Sequence, residues 1–101
     1  MMLKSKRSKA TDISPSVKKA VWERDGGKCI ICKSTNASPN AHYIPRSAGG
    51  LGILENTVTL CGCCHYAYDQ TCERGMYRKR IGAYLKRKHP YWDESKLYYK
   101  K

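Results

Sequence analysis

Four of the six cysteines stand in two pairs, Cys29-x2-Cys32 and Cys61-x2-Cys64, separated by 28 residues. A two-residue spacer lets one tight turn present two sulfurs to the same ion, and zinc binds four thiolates tetrahedrally. Two such turns predict a structural zinc held by Cys29, Cys32, Cys61 and Cys64. Four cysteine ligands leave no open position, so such an ion pins the chain and does no chemistry. Cys63 offers a rival register with Cys61, but a one-residue spacer fits the turn poorly; Cys72 is left over and reads as a core thiol. His42, Asn56 and His65 lie between and beside the pairs. They are either ordinary polar residues around a structural metal or the working parts of a catalytic site.

The bulk of the chain narrows the choice. At 101 residues with no Phe it is one domain at most, and so small a body usually needs a staple. Residues 1–12, MMLKSKRSKATD, hold four basic residues and almost nothing to bury, which predicts a disordered basic arm. Residues 13–90 then form the domain and residues 91–101 an aromatic and basic tail. No apolar run approaches membrane-spanning length and no signal-peptide core is present, so a cytoplasmic protein with reduced thiols and no membrane partner is expected. A net charge of +12 and a pI near 9.6 select a phosphate backbone as the natural partner.

The elements that must position these residues are marked along the chain. Ser14 suits an N-cap, Pro15 the first position of a helix and Gly26-Gly27 its end, with Val17, Ala20, Val21 and Arg24 on one face. AHYI is β-prone and is closed by Pro45, and a loop with Gly49, Gly50 and Gly52 follows. NTVTLC alternates as a strand, HYAYD starts a helix, and ERGMYRKRIGAYLKRKH continues helical until Pro90. His42 therefore sits on the first strand of a hairpin, Asn56 at the start of the second and His65 at the head of the following helix.

In RDGGKCIICKS, AHYIPRSAGGLGILEN and LCGCCH, with eight residues between Asn56 and His65, the chain resembles the HNH endonuclease family over residues 14–72. The tail YLKRKHPYWDESKLYYK is similar to the C-terminus of small phage-encoded members. The resemblance implies an α+β fold, a small zinc-stabilised treble-clef or ββα-metal (His-Me finger) domain with flanking helices. It also implies a metal-dependent DNA endonuclease or nickase. His42 would be the general base, Asn56 would brace the hairpin loop, and His65 would bind a catalytic divalent metal, Mg²⁺, Mn²⁺, Ni²⁺ or Zn²⁺. The chain departs from the family at Ala41, where many members carry a second metal ligand; Asp69, four residues after His65, is the candidate replacement.

Arg46 lies just past His42 and is read equally well as a phosphate contact or a solvated loop charge. Arg74, Arg78, Lys79, Arg80, Lys86, Arg87 and Lys88 crowd one helix and predict backbone binding to DNA without sequence preference. Tyr91, Trp92, Tyr98 and Tyr99 either stack on bases or fold back onto the core, and His89 has no assigned role. A non-catalytic zinc-containing nucleic-acid-binding module is the alternative function. A structural role in phage genome packaging beside the terminase is a third.

Overall fold

The computed structural model describes residues 6–99. The elements run α1 (Lys6–Thr11), α2 (Pro15–Arg24), β1 (Ala37–His42), β2 (Thr57–Cys61), α3 (Gly62–Gln70) and α4 (Arg74–Lys88), with short 3-10 turns at Arg46–Ala48, Leu54–Asn56 and Glu94–Lys96. Together they make a small mixed α/β domain around a two-stranded antiparallel sheet.

The ends of α2 follow its sequence signals. Ser14 Oγ accepts from the Val17 amide at 3.3 Å, and Pro15 fills a first-turn position that needs no N–H donor. Gly26 and Gly27 both hold positive φ, 71° and 69°, where a side chain would strain the backbone. The apolar stripe is too narrow to bury the helix by itself, and Val21 is its one fully buried residue. Arg24 completes that face by going inward: its guanidinium donates to the carbonyls of Leu54 at 2.7 Å and Thr57 at 2.6 Å and pairs with Asp25 at 2.7 Å.

The strands pair Ala37 with Cys61, Ser38 with Leu60, Ala41 with Val58 and His42 with Thr57. The register is broken between Ser38 and Ala41, where Pro39 has no amide to donate. β1 therefore begins earlier than the AHYI segment and ends at His42. Beyond it the chain is held by one residue, because Tyr43 N donates to Asn56 O and Ile44 N to Asn56 Oδ1, each at 2.8 Å. β2 is buried along its whole length instead of alternating. Its threonine face is covered too: Asp25 accepts from the Thr59 amide at 2.8 Å, and Thr59 O accepts from the Ile30 amide at 3.1 Å.

Val21, Ile44, Val58, Leu60, Tyr68, Ile81, Leu85 and Leu97 are almost wholly excluded from solvent. The arm expected over residues 1–12 is corrected over the part the structure describes. Residues 6–11 are helical, Thr11 is buried, and Ala10 O accepts from the Gly52 amide at 2.9 Å. Gly52 permits that approach because any Cβ there would collide with the Asp12 carbonyl. At the other end Leu97 is buried, Tyr98 bridges to Gly50, and Trp92 donates to Glu55 O at 2.8 Å with its ring edge-on to Tyr43. Tyr91 alone of the tail aromatics in this segment points fully outward, at 96% exposure. Among the described residues no helix is long and apolar enough to cross a membrane.

Candidate metal centre

The two cysteine pairs reach one point by different routes. Cys29 and Cys32 lie on a tight turn in which the Lys33 amide donates to Cys29 O at 3.0 Å and Lys33 takes a left-handed φ of 67°. The Ile30–Thr59 hydrogen bond ties that turn to β2. Cys61 ends β2 and caps α3, its sulfur accepting from the Cys64 amide at 3.4 Å, so the second pair spans a strand end and a first helical turn. The four Sγ atoms lie within 4.8 Å of one another, and Cys32 and Cys61 approach to 3.4 Å. These four residues could hold a metal ion. Cys29, Cys61 and Cys64 are buried and Cys32 is exposed, so the cluster meets solvent at one corner.

The thiols carry the mark of crowding. Burial raises Cys29, but amides of Cys32, Cys61 and Ile31 around its sulfur outweigh that and lower it to about 7. Burial first, then its sulfur neighbours, push Cys64 far upward. A cation held by these four residues would remove the conflict by displacing the thiol protons. Cys63 and Cys72 stand outside the cluster, and Cys72, expected in the core, is exposed in the short turn between α3 and α4.

The histidines are arranged differently. His42 Nε2 lies 2.8 Å from the Thr11 carbonyl, on the segment that follows α1. Burial lowers its pKa against the effect of that carbonyl, with the charges of Arg46 and His65 adding to the lowering. His65 Nε2 is 3.1 Å from Asp69 across one turn of α3, both side chains partly exposed. Ala41 is buried and brings no ligand atom. Asn56 is fully buried, with Nδ2 donating to Ile44 O at 3.2 Å and Leu51 O at 2.8 Å. Among the described residues the four cysteines form the group of three or more metal-binding side chains close enough to share an ion; His65 and Asp69 supply two. The catalytic divalent metal expected from the sequence lacks that convergence.

The basic residues are divided as well. Arg46 pairs with Asp12. Arg78 lies over Tyr43 and within 3.3 Å of Glu94, while Arg74 lies over Tyr68. Lys79, Arg80, Lys86, Arg87 and Lys88 remain exposed. Sequence reasoning missed the polar core around Arg24 and Asp25, which also takes in Tyr84, donating to Asp25 at 2.7 Å, and His89, 3.2 Å from Arg24. The position of Arg24 on the apolar face of its helix was the available signal.

No family model matches the chain. A protein called anaredoxin, from Nostoc sp. (strain PCC 7120), is 36% identical over 53 residues, which make up 52% of this chain and 70% of that protein. Its name is that of a redoxin, and the relationship overturns the endonuclease reading of the sequence, hydrolase activity included. The physical counterpart is the pair His65 and Asp69, too few side chains to build a catalytic metal site.

Proposed function

The chain belongs to the anaredoxin family, and from that premise we propose that its four-cysteine centre holds a single iron ion and passes single electrons. The observation that carries this reading is the mutual approach of the four sulfurs, all within 4.8 Å. Metal–sulfur bonds of ~2.3 Å to a tetrahedral ion place the sulfurs ~3.8 Å apart. Small side-chain rotations close that difference. An iron–sulfide cluster would set several atoms between the thiolates and spread them further, so one ion fits better. The donors are all soft thiolates, which suit iron or zinc and disfavour Mg²⁺.

Bound iron supplies a one-electron couple. The chain's own residues supply the rest. Burial of Cys29, Cys61 and Cys64 keeps water from three sides, amide donors such as Cys64 N hold negative charge on sulfur, and exposed Cys32 is the exit toward a partner. The surrounding chain is read as a treble clef, with one pair on a turn ahead of the hairpin and the other at the head of α3. Zinc, the ion expected from the spacing, fits the same sulfurs and would make the centre a staple only. Thiolate ligands need a reducing compartment, which makes the cytoplasm the proposed location.

The test is to load the full chain with iron and follow its visible thiolate-to-iron absorption. One iron per chain, bleached by dithionite and restored by ferricyanide, is the expected result. A colourless protein that takes zinc alone and shows no reducible species would sink the electron-transfer reading.

The charge of +12 favours a polyanionic partner, and the DNA backbone is proposed on that observation. Retention on a duplex should fall steeply with added salt; weak binding that salt leaves unchanged would dismiss it.

A further inference from the structure

The first cysteine turn is also one wall of a groove. Ile30 and Ile31, the two residues between Cys29 and Cys32, face Arg80, Ala83, Tyr84 and Arg87 across a space of about 260 Å³. The α4 residues follow at i, i+3, i+4 and i+7, so they form one helix face beside the one that buries Ile81 and Leu85. The walls are held in place. Tyr84 donates to buried Asp25, Arg87 lies 5.5 Å over the Tyr84 ring, and Ile30 N is bonded to β2. Among the described residues neither Arg80 nor Arg87 is in an ion pair.

We propose that this groove docks an acidic segment of a protein redox partner, with an aliphatic side chain on Ile30, Ile31 and Ala83 and carboxylates on Arg80 and Arg87. No acidic residue lines the groove. An exposed guanidinium in no ion pair is matched by a carboxylate, which it can bind through two parallel hydrogen bonds. The floor decides the class of partner. A nucleic acid would use the guanidiniums but lay sugar and phosphate against two isoleucines, whereas a protein interface uses an apolar centre and a charged rim together. The location adds a purpose, because the wall is the ligand-bearing turn itself and Cys32 is its exposed sulfur. The redox part of this proposal rests on the electron-transfer reading; the docking does not.

The docking is therefore tested on the zinc-loaded full chain, labelled with ¹⁵N and titrated with a short amphipathic Glu/Leu peptide and, separately, with a DNA duplex. Peptide-induced amide shifts should gather at residues 29–33 and 80–88. The double variant Arg80→Gln/Arg87→Gln should weaken peptide binding about tenfold, while Lys18→Gln/Lys19→Gln, which removes equal charge from α2, should change it by less than about twofold. Shifts scattered over the surface, equal losses in both double variants, or a duplex that fills the groove more tightly than the peptide would overturn the proposal. A groove that binds the peptide as described on a chain whose iron form does not cycle would uphold the docking and remove the electron-transfer reading.

Discussion

The cysteine centre and the histidine cluster are both built from metal-binding side chains and share a helix, yet only one of them converges. Cys64 and His65 are neighbours on α3, where successive side chains point ~100° apart. That rotation sends Cys64 into the interior toward three other sulfurs and leaves His65 half out, facing Asp69. His42, the third member expected at that site, is turned to the Thr11 carbonyl. Ligand types are therefore weaker information than the number of ligands that the backbone brings to one point.

The largest expected effect comes from opening the convergent site. Removing the metal, or making Cys61→Ser, should abolish the cooperative thermal transition, since a bound ion in small metal-dependent domains supplies ~10 kcal/mol or more against a net stability of ~5–15 kcal/mol. A Cys61→Ser protein that melts cooperatively near the wild type would show that the centre does not hold the fold.

Next is the polar core behind the centre. Asp25→Ala strands a nearly buried guanidinium and the Thr59 amide, and should cost about 3–5 kcal/mol in urea unfolding. Asn56→Ala should follow at about 2–3 kcal/mol, because the Ile44 amide and two carbonyls lose their partner in a dry place. A cost within error of zero in either case would mean that water or neighbouring groups replace these bonds.

His65→Ala should be nearly silent, at ~0–1 kcal/mol for a partly exposed pair, and metal per chain should not change. A measured fall in metal content would break the comparison by giving the histidine side an ion of its own. The smallest effect concerns acid. Burial, then the charge of Arg24, lowers His89 below its usual 6.5. On acidification the unfolded chain takes up this proton first, near pH 6.5, so the stability present above that value is lost as pH falls. His42, lowered for its own reasons, acts in the same direction. His89→Gln should therefore show a shallower loss below about pH 6.5 than the wild type, measured at constant metal loading.

Much of the local structure was legible. Ser14, Pro15 and the Gly26-Gly27 stop mark α2 because they act on backbone within one turn. The two CxxC spacings mark the centre because each brings two sulfurs together within a few residues, on a tight turn in one case and at a helix start in the other. The register of β1 was not legible, since Pro39 and a bulge shift it and Asn56 replaces the ladder beyond His42. Nor was the exposure of Cys72, which depends on which way one short turn faces. The nuclease reading matched residues in order and assumed that order would carry convergence. The anaredoxin relationship and the two-ligand geometry of His65 and Asp69 correct it.

By itself the sequence determined the helix ends, the strand character of β2, the pairing of cysteines in turns and a strongly positive surface, because each follows from residues within a few positions or from composition alone. Tertiary structure alone decided that Arg24 and Asp25 go inward, that α1 and the last tyrosines close over the glycine loop, and that Ile30 and Ile31 meet α4 beside the exposed sulfur of Cys32. Those outcomes depend on partners 30 to 60 residues away in sequence, such as Leu54, Thr59 and Tyr84. Whether a buried charge is tolerated depends on what surrounds it in space, and sequence spacing carries no record of that.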